Sequence, residues 1–227
     1  MIMNSEFLRN WEDDARSISS RYFEKITKEG LGSAKSLGQR TDRKDFLFHE
    51  HLFQNIELSL PCSFLDIGCG KADLLKFLND AYPNCAIQRY LGIDIVPEFI
   101  QFSRRAYPAF EFQLSNFISE QFAPDKKFDI VLALGVLVSR VRNYQDYIRA
   151  FVEKMTSVSS HAVLFNLITE VDPDSPHYMH SLEIGHSTYL PLEELGCILA
   201  SLQCSQCQLY QEHLFPDATD TFVQIFV

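Results

Sequence analysis

The sequence predicts an α/β protein: a doubly wound, mostly parallel sheet of seven strands, ending in an antiparallel hairpin and preceded by a helical cap. Three observations predict it. From Cys62 onward, short apolar runs alternate with amphipathic helical patterns, which is the rhythm of βαβ units. Runs such as FDIVLAL are apolar without alternation, as in strands buried on both faces. The last two strand candidates, QCQLYQE and TFVQIFV, are joined by HLFPDATD, which is too short for a crossover helix, so they must pair antiparallel.

The cap, residues 1–60, has its own pattern. Phe7, Leu8, Trp11, Ala15, Ile18, Tyr22 and Ile26 recur at steps of three and four, which is one face of a helix. KEGLGSAKSLGQR, residues 28–40, holds three glycines and reads as a loop. A second helix is expected to start at Thr41 or Asp42, both good caps, with Phe48, Leu52, Phe53 and Ile56 on one face. Pro61 ends the cap, and residues 61–227 form the larger unit. Its strands are SFLDI, IQRYLGID, FEFQL, FDIVLAL, AVLFNLI and the final pair. The intervening helices are marked in turn by Leu74, Leu75 and Leu78, then Phe99, Ile100 and Phe102. Tyr144, Ile148, Phe151 and Met155 mark the third, and Leu192, Leu195, Ile198, Leu199 and Leu202 the last.

A chain of 227 residues suits one such domain with an appendage. Its composition, 46% apolar and 22% charged, is that of an ordinary globular protein. The longest apolar runs, such as AVLF, are far too short to span a bilayer. MIMNSEFLRN lacks a basic segment followed by an apolar one, so a cytoplasmic location without a membrane partner is expected. Of six cysteines, Cys204 and Cys207 form a C-x-x-C, but no second ligand pair completes a zinc set. Reduced thiols and no metal are the expectation. The net charge is −10, and the 73 residues after Lys154, the last basic one, carry nine acids and five of the seven histidines. A polyanion would meet repulsion there, which argues against nucleic acid as a partner. The sequence carries no signal for oligomeric state.

In sheets of this kind ligands bind at the carboxyl ends of the strands, so the loops after each strand decide function. The first is DIGCGKAD. Gly68 and Gly70 permit a tight turn and close backbone approach. A dinucleotide fingerprint would need glycine where Asp73 stands, and Asp66 lies two residues before Gly68. Two carboxylates oppose a pyrophosphate and suit a ligand with positive charge. The second loop follows Asp94, 24 residues past Gly70, where an acid can accept hydrogen bonds from both ribose hydroxyls. Ile95 next to it would cover a base. The third, after FQL, offers Asn116 for the edge of an adenine and Phe117 for its face.

FLDIGCGKAD, YLGIDIVPEFI, FQLSNF and FDIVLALGVL, in this order and spacing, resemble the motif series of class I S-adenosylmethionine (SAM)-dependent methyltransferases over residues 62–227. The resemblance implies a Rossmann-like methyltransferase core, SAM as cofactor and S-adenosylhomocysteine (SAH) as product. It implies that Gly68, Cys69 and Gly70 pass the methionine part of the cofactor, with Asp66 on its ammonium side. By the same likeness Asp94 holds the ribose, and Ile95, Asn116 and Phe117 enclose the adenine. Ala133 to Gly135, with Leu134 between them, line the wall near the sulfonium. Two positions depart from the family: Ala72 replaces a third glycine, and Asn116 replaces an acid. The layout also resembles small-molecule methyltransferases of bacteria, which share the short helical cap.

Methyl transfer from a sulfonium needs alignment more than acid–base catalysis, so the lack of an obvious catalytic triad does not exclude an enzyme. The loop after the fourth strand, LALGVLVSR, has no Asn-Pro-Pro-aromatic motif and no Pro-Cys nucleophile, which leans toward a small-molecule acceptor. NLITEVDPDSPHYMHSLEIGHSTY is long for a connection and holds His177, Tyr178, His180 and His186, the candidates for a general base. Its four acids favour a cationic or amine-bearing acceptor. In the cap, Tyr22, Gln39 and Arg40 are candidates for the cofactor carboxylate or the acceptor. Competing readings are a catalytically silent SAM-binding regulatory or scaffold protein, a protein or RNA methyltransferase, and a nicotinamide-dependent oxidoreductase. Asp66, Asp73 and the terminal hairpin disfavour the last.

Overall fold

The computed structural model describes residues 5–38, 46–58 and 61–227. Seven strands form a single sheet: β1 (Cys62–Ile67), β2 (Ile87–Asp94), β3 (Glu111–Leu114), β4 (Phe128–Ala133), β5 (Ser159–Val171), β6 (Gln206–Phe215) and β7 (Ala218–Phe226). Their spatial order is β3-β2-β1-β4-β5-β7-β6. The pairs from β3 across to β5 are parallel, and β7 runs antiparallel to both β5 and β6. Strand order reverses between β1 and β4, so the crevice for a ligand opens at their carboxyl ends.

Among the described residues six α-helices accompany the sheet: α1 (Ser5–Glu29), α2 (Leu47–Leu52), α3 (Asp73–Ala81), α4 (Pro97–Ala106), α5 (Tyr144–Val158) and α6 (Leu192–Ala200). Alternation along each strand divides the core between the two faces. Val131, Val163, Phe165, Val223 and Ile225 face α5, α6 and Trp11 of α1. Phe64, Ile130, Leu164 and Phe222 face the other way, against Leu52 of α2, α3 and Ile100 of α4. Among the described residues no helix is long and apolar enough to cross a membrane.

The N-terminal apolar stripe forms one unbroken helix, and it lies across the strand ends. Trp11 and Leu8 are buried in the same cluster as α5. Trp11 Nε1 donates to Arg142 O at 2.8 Å, and Asp14, only 2% exposed, accepts from the Arg142 backbone N (2.7 Å) and Nε (2.8 Å). Ser19 Oγ donates to Ile95 O at 3.0 Å, which ties the helix to the loop after β2.

Two elements differ from the sequence reading. The expected start of the second cap helix, Thr41 or Asp42, lies outside the described residues. The helix that is described is one and a half turns long, capped by no side chain, and Phe53 and Ile56 follow it as buried turn residues. Too short to be stable alone, it is held by packing: Phe48 lies 5.9 Å from Phe222, and Gln224 Nε2 donates to Leu52 O and Gln54 O. The segment between the last two strands is also not a loop. Pairing runs on to Val171–Ala218 and Phe215–Ala218, leaving only Pro216 and Asp217 as the turn. This brings Asp220 into the strand, opposite Ile168.

Candidate functional site

A cavity of about 350 Å³ opens at the carboxyl ends of the strands and is roofed by α1. That is the lower end of the range for small-molecule sites. Its floor begins with the glycine loop. Gly68 (φ +69°) and Gly70 (φ +52°) both take left-handed backbone, and a Cβ would meet Val136 Cγ2 at 2.4 Å on the first and Leu37 Cδ2 at 2.7 Å on the second. Gly68 N and Cys69 N donate to Ile93 O at 2.7 and 3.0 Å, which folds the loop over the end of β2. Ala72 is also left-handed, at φ +62°, where its Cβ costs roughly 1–2 kcal/mol. The substitution of the third glycine is therefore a local strain that the fold carries at the start of α3.

Asp94 ends β2 and joins the two loops. Its Oδ2 accepts from Gly70 N at 2.9 Å and its Oδ1 from Val96 N at 2.8 Å. Burial pushes its carboxyl up to about 6, against the lowering effect of these N–H groups. An ionised carboxylate accepts at about four lone-pair sites, which leaves room for a further donor beside these N–H groups. Asp66, on β1, accepts from the Tyr90 hydroxyl at 2.6 Å. Burial pushes it up to about 7, opposed by that bond and reinforced by the charges of Asp94 and Asp73. Tyr22 reaches the cavity from α1, edge-on to Phe99, with its hydroxyl pushed up to about 12 by burial and then by the Asp94 charge. Gln39 and Arg40 lie outside the described residues.

Ile95, Asn116, Phe117 and Leu134 all line the cavity. Asn116 Oδ1 accepts from Ile118 N at 3.3 Å, closing a local turn. Phe117 is only 3% exposed and packs 4.8 Å from Phe151 and 5.5 Å from Phe122, so much of its ring is core. Gly135 N donates to Asn166 Oδ1 at 2.7 Å, which fixes the loop after β4 to β5.

The long segment after β5 separates the four candidates for a base. Tyr178 is buried and lines the cavity. His177, His180 and His186 do not line it. His180 Nδ1 lies 2.7 Å from the Glu183 carboxylate and His186 Nε2 3.5 Å from it, on the outer side of the segment. The reason is in the backbone. Arg140 N donates to His186 O, Gly185 N to Arg140 O, and Thr188 N to Val138 O, so the segment adds a short ladder beside the loop after β4. That ladder turns Gly185 and Ser187 inward.

Sequence reasoning missed Asn166, Asp220, Phe48 and Phe215, which also line the cavity. The available signal for Asn166 was a lone amide inside the apolar run AVLFNLI. For Asp220 it was the alternation Asp220, Phe222, Gln224, visible once the strand is extended back through the hairpin.

The residues present fit SAM. Backbone at Gly68 and Gly70 lies where no side chain has room, and the carboxylates of Asp66, Asp73 and Asp94 face the cavity with Lys25 as the only Lys or Arg among the described lining residues. Such a donor set opposes phosphate and suits an ammonium, a sulfonium and a ribose diol. Residues 65–158 match the family model for a methyltransferase domain. The chain is similar to magnesium protoporphyrin IX methyltransferase from Synechocystis PCC 6803 with bound SAH, at 13% identity and a TM-score of 0.59, over 92% of this chain and 99% of that one. It is similar to DhpI in complex with SAH, at 16% identity and a TM-score of 0.61, over 92% and 95%. It is also similar to the N-methyltransferase NodS from Bradyrhizobium japonicum WM9, at 17% and 0.53, over 82% and 98%. At such identities the likeness speaks for the fold: residues 65–158 match the model of a methyltransferase domain, and the sheet that contains them has the fold of these SAM-dependent methyltransferases.

Proposed function

We propose that this chain transfers a methyl group from SAM to a small-molecule acceptor, with residues 1–60 acting as the lid and residues 61–227 as the cofactor-binding core. The observation that carries it is the cavity itself: an acid-lined, glycine-floored pocket at the switch point of the sheet, roofed by α1. Asp94 would hold the ribose hydroxyls, Asp66 the ammonium side, and the backbone of Gly68 to Gly70 the methionine part. Ile95, Asn116 and the exposed edge of Phe117 would enclose the base. When bound, SAM supplies a methyl group already activated on a sulfonium.

The chain's own task is then to position the acceptor and to exclude water. The bonds from Trp11, Asp14 and Ser19 keep α1 over the strand ends and close the site. Tyr178 is the cavity-lining candidate for holding or moving a proton of the acceptor, whereas none of the three histidines lines the cavity. A small acceptor is favoured over a polymer because the cavity holds about 350 Å³ and the net charge of −10 opposes a polyanion. The relatives named above support this through their own names, two of which denote action on small molecules or at nitrogen.

The test is to incubate the protein with methyl-labelled SAM and cell extract separated into small molecules, RNA and protein. Label in the small-molecule fraction is the expected result. Label in RNA or protein would replace the acceptor class, and SAH binding with no transfer to any fraction would favour the silent regulator.

A further inference from the structure

At the amino ends of the strands, away from the cavity, two thiols are already in contact. Cys62 opens β1, and Cys85 closes the turn that leads from α3 into β2, its N donating to Tyr82 O at 2.9 Å. β1 and β2 are parallel neighbours, with Cys62 in register with Ile87 and Cys62 N donating to Ala86 O at 2.9 Å. Cys62, Cys85 and Ile87 pack against the same apolar cluster, and the two thiols are hydrogen-bonded to each other. The bond is unequal. Burial pushes both thiols up, Cys62 to about 11, where the charges of Cys85 and Asp129 add to the rise. The bond adds further to the rise at Cys62 and opposes it at Cys85, so Cys62 is the donor and Cys85 the sulfur whose thiolate it steadies. Both side chains are partly exposed. Cys85 also lines a second cavity of about 350 Å³, shared with Leu75 and Leu78 of α3 and with Tyr107 and Phe110, which gives a small oxidant access to its sulfur.

We propose that Cys62 and Cys85 are a redox-responsive pair, which hydrogen peroxide closes to a disulfide that clamps the start of β1 to the turn before β2. The inference is independent of the methyltransferase reading. The Cys85 thiolate attacks one peroxide oxygen: an S–O bond forms, the O–O bond breaks, and the leaving hydroxide takes up a proton as water. The sulfur is oxidised to a sulfenic acid and the peroxide is reduced. The Cys62 sulfur, held beside it, then attacks the Cys85 sulfur: the S–S bond forms, the S–O bond breaks, and the second hydroxide leaves as water with the Cys62 proton. Two thiols and one peroxide thus give one disulfide and two waters. Sulfurs already in hydrogen-bond contact need only a side-chain adjustment to reach the roughly 2.0 Å of the bond. The loop so closed, residues 62–85, holds β1, the glycine loop and α3, so the clamp restricts the unfolded chain and stabilises the fold.

The experiment treats the reduced full chain with hydrogen peroxide at pH 8.5, blocks the remaining thiols with iodoacetamide and maps the peptides by mass spectrometry. The expected product in most chains is a Cys62–Cys85 link, lighter by two hydrogens and reversed by dithiothreitol. The linked chain should melt roughly 5–15 °C above the reduced one. In Cys62→Ser the link cannot form, and dimedone should trap the sulfenic acid on Cys85. Recovery of Cys62 and Cys85 as alkylated thiols, while Cys197 or the Cys204–Cys207 pair is oxidised, would overturn the inference. So would a linked chain whose melting temperature does not rise. A Cys62→Ser chain with no dimedone adduct on Cys85 would overturn the assignment of Cys85 as the sulfur that is oxidised first.

Discussion

Asp94→Ala will weaken SAH binding by at least tenfold at pH 8 and will move the melting temperature of the ligand-free protein little. On the proposed placement, two ribose hydroxyls would donate to an ionised carboxylate, each bond worth roughly 1.5–3 kcal/mol. The stability term is a near balance. Removing the carboxylate leaves Gly70 N and Val96 N without their acceptor, at about 1–3 kcal/mol each when buried. It also relieves the burial of a charge. The rise of the Asp94 carboxyl from 3.8 to about 6 corresponds to a penalty on the ionised form of about 3 kcal/mol at 1.36 kcal/mol per unit. The two offset, so a loss of affinity cannot be put down to unfolding. Paired thermal melts and SAH titrations check this. Unchanged affinity would remove Asp94 from the site, whatever the melt shows.

SAH affinity will rise with pH between 5.5 and 8, by on the order of tenfold to a hundredfold, because on the proposed placement the ligand would require Asp66 and Asp94 ionised and apparent affinity scales with the competent fraction. With carboxyls at about 7 and about 6, most molecules at pH 5.5 carry at least one of the two protonated. The stability of the ligand-free protein will move the other way. Both groups have folded values above the unfolded 3.8, so their contribution is fully present below about pH 4 and is lost as the pH rises through 6 to 7. The stabilisation conferred by SAH should therefore grow over the very range in which the ligand-free protein loses stability from these two groups. Asp66→Asn keeps an acceptor for the Tyr90 hydroxyl and should remove most of the pH dependence of binding, since Asp66 has the higher value. A flat wild-type profile, or an unchanged slope in the variant, would contradict the placement of Asp66 beside the ligand.

The sheet was legible in the sequence because its determinants are local in pattern. FDIVLAL and AVLFNLI could be nothing but strands buried on both faces, and HLFPDATD allowed only an antiparallel return. The stripe from Phe7 to Ile26 likewise described α1 without help from its surroundings. That Gly68, Gly70 and Asp94 would line one cavity was legible for the same reason, since they sit at strand ends where topology alone brings them together. The part of the cavity beyond them was not. Which side chains around residues 185–188 face inward depends on the backbone ladder with Val138 and Arg140, and composition drew attention to three histidines that do not line the cavity. Asp220 was hidden by reading its strand as loop. Phe117 shows a third kind of limit: an aromatic at a strand end serves the core and the cavity wall together, and only packing against Phe122 and Phe151 reveals the division.

The most direct measurement is calorimetric titration of the full chain at pH 8 with SAH and, separately, with NAD. Binding of SAH at one site per chain, with no heat from NAD, is the predicted result. NAD binding in the absence of any SAH binding would contradict it, because a pyrophosphate would then be lying against Asp66, Asp73 and Asp94.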